Sequence, residues 1–206
     1  MGEPEQQAER HDVSVQSRGP GGDGAPEAMP QEGPAGSDRA EPELYAGNRV
    51  LSLLFNTQGP VWKYIIRAGL ISLVPSLLIS FLLTFVGAAN EEAMPQFGQE
   101  LGPVILFVNL VIVSPVVETL ALGLGLWLLS FVTRRPLRQA LGSCVLWAAL
   151  HSSVAWMWGL GVIWPFFVFS CAYLAWRRRS WWYAMGVTCG IHMFQNLWPG
   201  ILIAVS

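Results

Sequence analysis

Glu118, His151, His192 and Asn196 are the residues of this chain whose types and spacing suit chemistry. Glu118 stands in the run SPVVETLALG (Ser114 to Gly123), and no other acidic residue follows it. His151 and His192 are the only histidines beyond the N-terminal segment, and both fall in apolar stretches. An ionisable group at the centre of a bilayer costs about 2.5–3.5 kcal/mol on insertion scales, so such residues are functional candidates by default. A carboxylate with two imidazoles in a dry cavity suits water activation, the carboxylate serving as general base beside a histidine that holds the water. The second histidine and an amide could donate hydrogen bonds to a developing oxyanion. Glu118, His151 and His192 equally suit a zinc ion with a bound water. The two histidines also suit haem ligation or proton handling, and a Glu–His pair that only locks helices together is the non-chemical reading.

Apolar stretches long enough to cross a membrane must position these groups. Five are expected, at about 64–88, 103–132, 138–158, 160–176 and 181–205, the fourth being short and carrying Pro165. The expected fold is therefore all-α, a polytopic membrane bundle of about five transmembrane helices. The loop arginines serve as a depth ruler. Glu118 is about 16 residues from Arg134, and His151 and His192 are each about 13 from Arg138 and Arg179, or roughly 24, 20 and 20 Å along a helix. Three ionisable side chains from three helices thus reach one layer near mid-membrane. Asn196 shares a helix face with His192, one turn further out. Pro115 cannot donate to the helix ladder, so it loosens the helix before Glu118 and frees a carbonyl.

The segments around these residues, Glu118-TLALG, Trp147-AAL-His151 and His192-MFQ-Asn196, resemble the CPBP family (CAAX protease and bacteriocin-processing, also called ABI) of intramembrane endopeptidases. That family's pattern is E-E-x-x-x-R, then F-x-x-x-H, then H-x-x-x-N, on successive core helices. The resemblance covers about residues 103–200 and implies that they form a four-helix catalytic core. It implies that Glu118 and His151 activate the hydrolytic water and that His192 and Asn196 stabilise the oxyanion. It leaves zinc open, with Glu118, His151 and His192 as its ligands, and implies a peptide or membrane-protein substrate. It also suggests the inner or plasma membrane of a bacterial cell. Three positions depart from the pattern: Thr119 replaces the second Glu, Gly123 the Arg and Trp147 the Phe. Losing the Glu and the Arg together leaves no orphan charge, and an active divergent member stands against an inactive scaffold relative.

Composition divides the 206 residues into two parts. Residues 1–44 are rich in Gly, Pro, Glu and Gln, and their acidic residues outnumber Arg10, Arg18 and Arg39. Such a segment cannot bury enough surface to offset chain entropy and reads as a disordered tail. It has no apolar run after a basic start, so it does not read as a secretory signal. Residues 45–206 form the membrane domain, with YAGNRVLSLLF (Tyr45 to Phe55) as a short interfacial helix leading in. The net charge of −2 and the lack of a basic–aromatic patch give no reason to expect nucleic acid. Arg134, Arg135 and Arg138 in one loop and Arg177, Arg178 and Arg179 in another put the N-terminus in the cytoplasm by the positive-inside rule. Cys144, Cys171 and Cys189 all lie within expected spans and read as small packing residues.

Overall fold

The computed structural model describes Tyr45, residues 47–85 and residues 102–205, and all regular structure among them is helical. The tail 1–44, the loop 90–100 and the last residues of the first expected span lie outside the described residues.

Among the described residues six helices follow one another. The first, α1 (Arg49–Phe55), is capped by Asn48, whose side chain accepts from the amides of Val50 and Leu51. It tucks Leu54 and Phe55 into the core. The Tyr64 hydroxyl and the Arg67 guanidinium then bond the free carbonyls at its C-terminal end. The long helices are α2 (Val61–Phe85) and α3 (Pro103–Val132), followed by α4 (Pro136–Ser152), α5 (Trp158–Arg177) and α6 (Trp181–Val205).

Three of these helices, α2, α3 and α5, are long and apolar enough to cross a membrane. The chain is thus a membrane protein, all-helical in its described residues. The fourth expected span, short and interrupted by Pro165, is one of the three, because α5 runs unbroken through the proline. The third is shorter than expected: α4 stops at Ser152, and turns occupy Ser153–Met157 before α5 starts. At about 1.5 Å per residue, α4 reaches roughly 25 Å.

The central post is α5. Protein buries 56% of its most apolar window, against 22% for α2 and 17% for α3, so those two turn apolar faces outward. Side chains of α5 stack against α2, α4 and α6. Its closest approach is to α4 at Gly159, where a Cβ would run into the Ser152 hydroxyl and the Ala148 carbonyl. Ser170 on α5 also donates to Ser143 on α4 at 2.9 Å, a buried polar link with both hydroxyls paired. Cys144 and Cys171 are buried packing residues in the same region.

One irregularity positions the site. Within α3, Asn109–Val113 form a π turn, and the Ser114 amide bonds the Asn109 carbonyl five residues back. The next residue, Pro115, brings no amide hydrogen. The Leu110 carbonyl would accept from Ser114 in an α ladder or from residue 115 in a π ladder, so it is left over. A π turn of this kind absorbs one extra residue and rotates the following helix face by about 100° relative to the preceding one. The freed carbonyl expected from Pro115 is that of Leu110.

Candidate active site

Helices α3, α4 and α6 bring together the three ionisable residues expected to be level in depth. Glu118 Oε2 lies 3.9 Å from His151 Nε2 and 3.7 Å from His192 Nε2. Both imidazoles are almost wholly enclosed, while the Glu118 side chain keeps 23% of its surface open. The other carboxylate oxygen, Oε1, accepts from the Ser114 hydroxyl one turn earlier. The carboxylate is thus held on one side and open to a cavity on the other.

His151 is fixed by its own helix. Its Nδ1 lies 2.8 Å from the Trp147 carbonyl, which can only accept, so Nδ1 carries the hydrogen. In the neutral ring Nε2 then presents a lone pair toward Glu118. Two acceptors 3.9 Å apart make a natural seat for a water molecule that donates to both.

Aromatic rings from α5 hold the imidazoles apart. Phe166 lies 5.1 Å from His151 and 5.7 Å from His192, and stacks on Trp147 at 4.5 Å. Phe169 covers His192 at 4.5 Å, and Trp158 meets His151 edge-on at 4.4 Å. Trp147, standing where the resembled family has Phe, supplies both the carbonyl that orients His151 and a ring that braces Phe166.

Asn196 lines the same cavity, but its amide nitrogen donates to the Leu110 carbonyl at 3.0 Å. It satisfies the acceptor left over by the π turn and Pro115, and in doing so ties α6 to α3. Its second amide hydrogen is left for the cavity.

The cavity has a volume of about 320 Å³. From Glu118 and the two histidines it runs along α2 past Ser76, Ser80 and Thr84, between α2 and the Trp198–Leu202 end of α6. Gln195 also lines it, its carbonyl oxygen accepting from the buried Ser72 hydroxyl at 2.8 Å. Mostly apolar walls with a few convergent polar groups are the usual make-up of a ligand site.

Sequence reasoning missed Ser114, Phe166, Trp158 and Gln195. Ser114 was within reach, since i and i+4 residues share a helix face. The α5 aromatics were not, because nothing in the sequence of α5 marks which of its many rings face a histidine on another helix.

Glu118, His151 and His192 are the residues that would hold a zinc ion. Zinc bonds of about 2.0–2.2 Å in a tetrahedron place neighbouring ligand atoms roughly 3.3–3.5 Å apart. Glu118 stands wider than that from both rings.

Two of the three departures from the resembled family's pattern, Thr119 and Gly123, are packed over. Thr119 is buried. At Gly123 a Cβ would come within 2.7 Å of the Tyr173 hydroxyl, so α5 fills the space where the family carries Arg.

The fold and site define a helical membrane protein with a carboxylate–bis-imidazole cluster at the head of an internal cavity. No family model, curated protein or solved structure matches the chain.

Proposed function

We propose that this protein is an intramembrane endopeptidase that hydrolyses a peptide bond in a segment lying in the α2–α6 cavity. The observation that carries this reading is the placement of Glu118 Oε2 at 3.9 and 3.7 Å from two enclosed imidazole nitrogens, at the head of a cavity of about 320 Å³. A water between Glu118 and His151 gives its proton to the carboxylate, and the hydroxide oxygen attacks the scissile carbonyl. The oxyanion forms beside His192 and the second amide hydrogen of Asn196, which donate to it. Glu118 then passes its proton to the leaving amine, restoring the carboxylate. Ser114 keeps Oε1 engaged throughout, so Oε2 does the proton transfer.

In this reading α4 and α6 join α2, α3 and α5 as membrane crossings, five in all. It places the N-terminus in the cytoplasm and the protein in a bacterial inner or plasma membrane. The runs Arg134–Arg135 and Arg177–Arg179 support that orientation. A cysteine-accessibility scan of the loops tests it, and labelling of residues near 134 from the outside overturns it.

The deciding experiment is Glu118→Gln in the full chain, reconstituted and assayed against membrane-anchored peptide substrates. The amide keeps the size and the Ser114 contact but cannot take the proton. Hydrolysis is expected to fall by about 10²- to 10⁴-fold with unchanged thermal stability. Full activity in that variant overturns the mechanism.

The packing at Thr119 and Gly123 favours a second reading, a non-catalytic scaffold of the same architecture. Under it, Glu118→Gln, His151→Ala and His192→Ala together preserve the cellular phenotype.

A further inference from the structure

A second cavity, separate from the first, opens near the basic end of the bundle with a volume of about 280 Å³. Gly123, Leu124 and Trp127 of α3 form one wall, and Tyr173 and Arg177 of α5 with Trp181 of α6 form the other. The polar side chains of that lining are Tyr173, Arg177 and Trp181. Hydrogen-bond donors from two helices thus surround a space whose far side is apolar. Glu118 belongs to the first cavity, and every other charged side chain among the described residues is Lys or Arg. The pocket therefore has a cation and no carboxylate of its own.

We propose that this pocket binds the phosphate headgroup of an anionic phospholipid, with the first acyl carbons along Leu124 and Trp127. Arg177 donates in a fork to the phosphate oxygens, a geometry that a guanidinium matches and an ammonium does not. Tyr173 and Trp181 supply further donors at the level where amphipathic aromatics meet headgroups. Gly123 has a role in this site. The absent side chain lets the Tyr173 hydroxyl reach the α3 backbone, and a Cβ there would displace it. The site does not depend on any hydrolytic activity of the first cavity.

The test uses the full chain in phosphatidylcholine nanodiscs containing a minor share of phosphatidylglycerol, with co-purified lipid counted by native mass spectrometry. The wild type is expected to retain phosphatidylglycerol preferentially. Arg177→Gln should weaken retention by roughly tenfold or more, the loss of a charge-assisted hydrogen bond. Arg177→Lys should recover only part of it. Arg134→Gln removes an equal charge outside the pocket and should cost no more than about fivefold, the value of one cation near an anionic surface. Equal retention by Arg177→Gln and wild type overturns the proposal, as does an equal loss from Arg134→Gln. Displacement of the lipid by inorganic phosphate at matched concentration overturns the lipid assignment and makes this a site for a soluble phosphate.

Discussion

The side-chain amide of Asn196 on α6 donates to the backbone carbonyl of Leu110 on α3, at 3.0 Å. This bond explains why a π turn, a proline and an asparagine from another helix occur together. In a dry helix core every backbone acceptor needs a partner, and α3 cannot supply one to Leu110. Asn196 therefore holds the backbone just before Glu118 while standing beside His192.

Removing that donor leaves Leu110 unpaired. Asn196→Ala is expected to destabilise the protein by about 1–3 kcal/mol, read as a lower unfolding midpoint in detergent. In a Pro115→Ala background the backbone regains an amide and the penalty should shrink, with a coupling of about 1 kcal/mol in the double-mutant cycle. Strict additivity of the two substitutions counts against this account.

Phe166 separates the two imidazoles and is buried. Phe166→Ala opens space between them, and its expected cost is about 3–5 kcal/mol. Phe166→Leu should restore most of the stability but little of the hydrolysis, because only a flat ring keeps both histidines turned toward Glu118. Equal activity of Phe166→Leu and wild type would show that ring shape is irrelevant.

Placing the resembled family's arginine at position 123 should fail. Gly123→Arg drives a Cβ against the Tyr173 hydroxyl, and overpacking of this kind costs about 1–3 kcal/mol. Pairing it with Tyr173→Ala makes room and should recover stability, which a melting curve of the double variant reads directly.

The proposed mechanism moves the proton on Glu118 without a metal, so phenanthroline or EDTA should leave hydrolysis unchanged at concentrations that strip catalytic zinc. Loss of activity on chelation with recovery on added zinc would reassign Glu118, His151 and His192 as metal ligands.

Ser114→Ala releases one carboxylate oxygen. The expected loss is about 0.5–1.5 kcal/mol of positioning, less than tenfold or slightly more in rate, with Glu118→Gln far more severe. Equal defects in the two variants would place the proton transfer on Oε1 instead of Oε2.

The sequence by itself determined the helical class and the common depth of Glu118, His151 and His192. Long apolar stretches allow little besides helices in a bilayer, and the rise per residue converts spacing from the arginines into height. It also indicated that Pro115 would free a carbonyl. Tertiary structure alone decided which groups answer each other across helices. Azimuth depends on packing, and one π turn rotates the face that carries Ser114 and Glu118 in a way no apolar count reveals. For the same reason Asn196 was legible as a neighbour of His192 but not as the partner of Leu110. Gly123 stands where the resembled family has Arg, and only the packing sets the Tyr173 hydroxyl against it. Height along a helix is local arithmetic, whereas contact between helices is fixed only when all of their side chains pack at once.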